Sequence, residues 1–148
     1  MKRSVAFAPA HITGLFTIEP GKNILETGSR GAGVSISRGV LTTIKTVKSY
    51  KWKVRTYINK TLTNAKVSIA VIEEFLKHTK NKYEIEINHE IQVPIGAGYG
   101  TSGAAALSLA LALNEIEGKL TRLEVFQLAH IAEVKCKTGL GTVIAETF

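Results

Sequence analysis

Four glycines stand at Gly96, Gly98, Gly100 and Gly103 in PIGAGYGTSGAAALSLALALNE, residues 94–115, directly ahead of a long apolar run. Upstream, KYEIEINHEI alternates Tyr83, Ile85 and Ile87 against Glu84, Glu86 and Asn88, the period of a half-buried strand. Gly103 to Glu117 is apolar nearly all round, as expected of a helix packed between layers. The expected order is therefore strand, glycine loop, buried helix. Glycines let a backbone approach phosphate oxygens, and the start of the following helix offers unpaired N–H groups and partial positive charge to the same oxygens. Spacing alone leaves two readings open: an anion-binding loop, or a tight strand-to-helix turn with Thr101 or Ser102 as N-cap. Gly98, Gly100 and Gly103 match GxGxxG, but a dinucleotide fold wants an acid about 20 residues on, at the end of a second strand. Here Glu115 and Glu117 fall at a helix end, and no Lys follows the glycines as a Walker A loop requires.

The rest of the chain predicts a single α+β domain over residues 1–148. SVAFAP and GLFTIE read as two short strands separated by Ala10 to Thr13, and GVSISRGVLTTIKTV as two more around Arg38 and Gly39. WKVRTYI alternates Trp52, Val54, Thr56 and Ile58 with Lys53, Arg55 and Tyr57, a strand with one largely basic face. From Thr63 to about Lys80, Ala65, Val67, Ile69, Ile72, Phe75 and Leu76 form a helical stripe, with Glu73, Glu74, Lys77 and Lys80 largely away from it. Gly118 closes the helix after the loop. Thr121 and Glu124 make a capping box that opens a third helix, terminated by Gly139. The closing segment GLGTVIAETF reads as the start of a further element, so a second, C-terminal half is expected to be missing.

Composition narrows the partners. With 45% hydrophobic residues in 148 the chain can bury a real core, and its formal charge of +7 favours anionic partners: nucleotides, small carboxylates, nucleic acid or lipid headgroups. All twelve acids are glutamates; aspartate, a frequent base or metal ligand in phosphoryl transfer, is absent. The single Cys136 cannot form an internal disulfide, which points to a reducing compartment. Pro9 and His11 cut the N-terminal apolar segment too short for a signal peptide, and AAALSLALAL falls well below the ~20 residues of a membrane span. The expectation is a soluble cytoplasmic protein with no membrane partner.

Glu133 stands out on the third helix. On a helical wheel from Thr121, Glu124, Gln127 and Lys135 form the polar side, whereas Glu133 falls opposite with Phe126, Ala129 and His130. A carboxylate there needs a partner. Magnesium takes hard oxygen ligands, commonly one or two from protein plus phosphates, so Ser102 and Glu133 make a candidate metal pair. The alternative is an end-of-helix Glu paired with Lys137 at i+4.

PIGAGYGTSGAA resembles the ATP-binding loop of the GHMP kinases, in which a Pro, a glycine-rich loop, adjacent hydroxyl residues and small residues open a helix. APAHITGLF at 8–16 resembles the family's first motif. GSRGAG at 28–33 and AHIAEVKCKTGLG at 129–141 are similar to the archaeal pantoate kinase branch, so the likeness runs from about Ala8 to Ala145. The resemblance implies the N-terminal domain of a GHMP kinase, a fold similar to the second domain of ribosomal protein S5. The implied reaction is phosphorylation of pantoate by ATP on the archaeal route to coenzyme A, with ATP and Mg²⁺ as cofactors. By the same resemblance, Pro94, Gly96, Gly98, Gly100, Thr101, Ser102 and Gly103 would bind the ATP phosphates, and Ser102 with Glu133 the magnesium. Tyr99, Thr101 and Gly103 replace the more usual Leu, Ser and Ala. His11 stands where several relatives carry a Lys; its bland alternative is a turn histidine between two strands. Arg30, flanked by Ser29 and Gly31 in a glycine-rich loop, has the planar fork that suits the substrate carboxylate, or is an exposed turn arginine.

One position departs from the pattern. The residue after GLG is Thr142, where the resemblance implies an Asp acting as catalytic base or charge stabiliser. Three function classes follow: a pantoate-type kinase, a non-catalytic nucleotide-binding or regulatory fragment, and an RNA-binding module with an S5-like fold. The last needs a basic face with exposed aromatics, for which KSYKWKVRTY at 48–57 is the one candidate; its bland reading is an edge strand guarded by lysines. Nucleic acid is the least favoured partner. A homodimer or a separately encoded C-terminal half would complete the enzyme.

Overall fold

The computed structural model describes residues 1–146, so the last two residues of the expected 1–148 domain lie outside the described residues. The elements run β1 (Lys2–Glu19), β2 (Gly28–Lys48), β3 (Lys53–Ile58), β4 (Thr61–Leu62), α1 (Lys66–Leu76), β5 (Tyr83–Ile91), α2 (Thr101–Glu117), α3 (Arg122–Cys136) and α4 (Thr142–Glu146). The sheet order is β1-β2-β5-β3-β4. β3 and β5 pair in parallel and every other neighbour is antiparallel, so the expected α+β architecture with a mixed sheet is present.

The four short strands expected at the N-terminus are two long ones. β1 and β2 form one hairpin whose register shifts between Pro9 and Ala10 and again between Thr13 and Leu15. The signals that read as breaks are bulges, which bend a strand without ending it. Gly14 is the residue left over at the second shift. At the first, Gly39 faces Pro9, and a side chain there would run into the Ala8 carbonyl. GSRGAG is accordingly strand and not loop, and His11 lies within β1 rather than in a turn.

The helices cover one face of the sheet. α2 packs on β1 and β2 and is flanked by α1 and α3. It presents Ala104, Ala106, Leu107, Leu109, Ala110, Ala112 and Leu113 to a core shared with Val40, Ile44, Ile85 and Ile87. Its burial on several sides is why its apolar residues run all round. The other face of the sheet leaves Val5, Phe7 and Val47 exposed. α1 is shorter than expected, because neither Thr63 nor Asn64 joins it and Lys77 caps it. Glu74, expected largely away from the apolar stripe, is buried and held by Lys77 and Lys135. α3 begins on the expected Thr121–Glu124 capping box but ends at Lys137 in the left-handed region, not at Gly139. Trp52 packs edge-on against Tyr83 at 5.7 Å, turning one aromatic of the basic stretch inward, while Tyr50 is exposed. Among the described residues no helix is long and apolar enough to cross a membrane.

Candidate active site

The glycine loop joins β5 to α2. Gly96, Gly98 and Gly100 have φ of 76°, 81° and 64°, in the left-handed region that disfavours any Cβ. Gly96 and Gly98 have nothing within 4 Å of where a side chain would start, so their requirement is conformational and the space beside them is open. Gly100 is different: a Cβ there would meet Thr142 Cγ2 at 2.5 Å and Glu146 Oε1 at 2.8 Å. The loop is tied to the sheet by the His11 N–H, which donates to the Tyr99 carbonyl at 3.0 Å.

Gly100, and neither Thr101 nor Ser102, is the N-cap of α2, and no side chain caps that end. A left-handed residue brings the chain into the helix with its first N–H groups unclaimed by side chains, an arrangement suited to an anion. The Ser102 hydroxyl turns away from capping and donates to Glu133 Oε1 at 2.9 Å.

Glu133 is completely buried, and its Oε2 has no hydrogen-bond partner among the described residues. Burial pushes its carboxyl up from the ordinary range, with the Ser102 hydroxyl and the Val143 backbone N–H pulling the other way. None of the ion pairs includes Glu133, so the alternative pairing with Lys137 is not formed among the described residues. Gly139, expected as a helix terminator, instead makes room for this carboxylate: a Cβ on it would lie 2.5 Å from Glu133 Oε1. Ser102 and Glu133, singled out from opposite ends of the sequence argument, are thus in direct contact. A hydroxyl and a carboxylate with one free oxygen fit a hard divalent cation.

Beside the loop lies a cavity of about 910 Å³ between the far half of the β1–β2 hairpin and the chain from Val134 to Ala145. His11 and Thr142 line it and also lie against the glycine loop, which joins the two spaces. The His11 ring lies over Gly33, whose missing Cβ would be 2.5 Å from the ring's Cε1 and Nε2, and its Nδ1 is 3.2 Å from Thr13 Oγ1. Ser29 and Gly31 line the cavity. Arg30 does not: it alternates to the outer face of β2, largely exposed, 3.6 Å from Glu19. The cation on the cavity wall is Lys137, which the sequence reading considered only as a partner for Glu133. Glu146 was also missed. It has no neighbour in sequence to mark it, and only the return of α4 toward α2 brings it under the loop.

A family model described as GHMP kinases N terminal domain matches residues 65–148, and the chain belongs to that family. More particularly, it is 42% identical over 146 residues to the pantoate kinase of Methanocaldococcus jannaschii, covering 95% of this chain and 49% of that protein. The pantoate kinase of Thermococcus kodakarensis is 37% identical, with 95% and 48% covered. The chain thus spans about half the length of the curated relatives it matches. A solved structure described as a phosphotransferase related to the CoA biosynthesis pathway superposes with a TM-score of 0.90 at 35% identity, over 98% of this chain and 50% of that one. Lactococcus lactis galactokinase, at 15% identity and a TM-score of 0.68 over 97% and 41% of the two chains, shares the fold.

Proposed function

We propose that this protein transfers the γ-phosphoryl group of ATP to pantoate, giving 4-phosphopantoate. The observation that carries the reading is the loop of three left-handed glycines opening on an uncapped helix start, with Ser102 and Glu133 in contact beneath it. The phosphates would lie along Pro94, Gly96, Gly98 and Gly100, against the first N–H groups of Thr101, Ser102 and Gly103. Mg²⁺, held through Ser102 and Glu133, would neutralise charge on the transferring phosphates.

The acid would occupy the adjoining cavity. Pantoate has a gem-dimethyl centre between two hydroxyls and a carboxylate. Leu15, Phe16 and Ile144 offer it apolar wall, and Ser29, Ser35 and Thr138 offer hydroxyls. Lys137, on the cavity wall, would meet the carboxylate, while Arg30 stays on the outer face of the hairpin. In the transfer, the terminal hydroxyl oxygen of pantoate bonds to the γ-phosphorus as the bond to the bridging oxygen of ADP breaks. His11 would receive the hydroxyl proton, and Thr142 would orient that hydroxyl by a hydrogen bond. Positioning of this kind supplies much of phosphoryl-transfer catalysis. The free thiol of Cys136 suits a reducing compartment, the cytoplasm in this reading.

The test is ATP binding by calorimetry with and without Mg²⁺, followed by phosphopantoate formation, on the full-length protein. Ser102→Ala and Glu133→Gln are expected to weaken Mg²⁺-dependent ATP binding while circular dichroism stays native. Unchanged affinity in both variants would remove the site assignment. ATP bound without turnover would leave the nucleotide-binding, non-catalytic reading.

A further inference from the structure

Beneath the glycine loop lies a second carboxylate that the steps above do not use. Glu146, in the last turn of α4, is 4% exposed, and neither of its carboxylate oxygens has a hydrogen-bond partner among the described residues. Its direction is well defined. A Cβ on Gly100 would meet Glu146 Oε1 at 2.8 Å, and one on Gly103 would meet Oε2 at 3.0 Å. Both oxygens of Glu133 lie 3.2 Å from that same point on Gly103. Two glutamates from different helices therefore converge on the first turn of α2, beside the hydroxyl of Ser102.

Neither carboxylate takes part in an ion pair among the described residues. Two buried carboxylates without counter-charge are unfavourable, and the place is relieved either by a proton or by a cation. The chemistry of the donors is that of a hard divalent ion: two carboxylates and a hydroxyl, all oxygen. Among the described residues no group of three His, Cys, Asp or Glu side chains gathers to hold a metal unaided. A cation held by so few protein oxygens draws the rest of its shell from water and phosphate oxygens, which couples metal binding to nucleotide binding.

The position on α4 has a reason. Glu146 follows Thr142 by one helical turn, on the same face, and helical side chains lean toward the N-terminus. Its carboxylate thus reaches back over the turn that begins at Thr142, and both side chains end against Gly100. Thr142 brings a methyl and a neutral hydroxyl to that spot; Glu146 brings the charge. We propose that Glu146 is a second carboxylate ligand, with Glu133 and Ser102, of the divalent cation that enters this site together with the phosphates of ATP. The inference rests on the ATP-binding reading of the loop.

The experiment is calorimetric titration of ATP into the full-length protein in Mg²⁺ and in EDTA, for the unmodified protein, Glu146→Gln, Glu146→Asp and Glu133→Gln. In the unmodified protein Mg²⁺ is expected to strengthen ATP binding. Glu146→Gln is expected to reduce that strengthening by about tenfold or more, with ATP in EDTA binding at least as well as before and Glu146→Asp recovering part of the loss. The metal-free Gln variant should also melt no lower than the unmodified protein, since it removes an unpartnered buried carboxylate. Full Mg²⁺ enhancement in Glu146→Gln, together with its loss in Glu133→Gln, overturns the proposal but keeps the ATP reading. Absence of any Mg²⁺ effect in the unmodified protein overturns the ATP–magnesium reading itself. Infrared difference spectra of the unmodified protein on adding Mn²⁺ and ATP need no variant: carboxylate bands of two side chains should shift, and a shift confined to one contradicts the role of Glu146.

Discussion

Two glycines near the site illustrate different demands on a residue without a side chain. Gly98 has a φ of 81° and open space around it, so Gly98→Ala strains the backbone by about 1–2 kcal/mol without a collision. The expected outcome is a modest loss of stability in urea denaturation and a larger loss of ATP affinity, because the strained loop retreats from its phosphate-facing shape. Gly139 lies outside the left-handed region, but a Cβ on it would come within 2.5 Å of Glu133 Oε1. Gly139→Ala displaces that carboxylate, so its effect should appear chiefly in the Mg²⁺ dependence of ATP binding. Calorimetry on the two variants separates them: Gly98→Ala weakens ATP with and without metal, whereas Gly139→Ala weakens it mainly with metal.

Among the elements, α2 carries both packing and site. Leu109 of α2 is fully buried in the core, and Leu109→Ala should cost about 2–5 kcal/mol in chemical denaturation. The fully buried Ala104, Ala106 and Ala112 let the helix lie close to its neighbours, which brings the loop and Ser102 within reach of α3. α3 in turn depends on its start. Thr121 accepts from the Glu124 N–H at 3.3 Å, and the Glu124 carboxylate accepts from the Thr121 N–H at 2.7 Å. Thr121→Ala should cost about 1 kcal/mol, read as a lower midpoint in urea with the native slope. This capping box was legible from TRLE alone, because every atom involved lies within four residues. The end of the same helix was not legible. Lys137 adopts the left-handed cap, and Gly139 is kept free for a carboxylate that only the fold brings near.

At the scale of the molecule, a buried polar chain joins sheet to helices. His89 contacts Thr42 Oγ1 at 2.8 Å through Nδ1 and Ser68 Oγ at 2.9 Å through Nε2, and Thr42 lies 2.6 Å from Ser108 Oγ. Burial lowers the His89 pKa from 6.5 to about 4. Between those values the unfolded chain binds a proton that the folded one refuses, so stability rises with pH across the window. The contribution is fully present above about pH 6.5 and is lost as pH falls toward 4, by about 3 kcal/mol in all. Urea denaturation of the unmodified protein and of His89→Gln at a series of pH values isolates that share. The stability difference between the two should shrink as pH falls from 6.5 toward 4, since Glu133 and Glu146, whose carboxyls burial pushes up and whose own contribution runs the other way, are common to both.

The order strand, glycine loop, buried helix followed from the sequence, because alternation, glycine spacing and all-round apolarity are local properties of the chain. So did the isolation of Glu133 on the apolar side of its helix. Tertiary structure decided the rest. Bulges at Pro9–Ala10 and Thr13–Leu15 join segments that read as four strands into a single hairpin, since strand pairing across the sheet outweighs local turn signals. The same alternation along β2 sends Arg30 outward and leaves Ser29 and Gly31 on the cavity, a choice of face that register alone makes. The convergence of Glu133 and Glu146 on Gly103 depends on how α3 and α4 pack against α2, and no spacing along the chain encodes a meeting between helices.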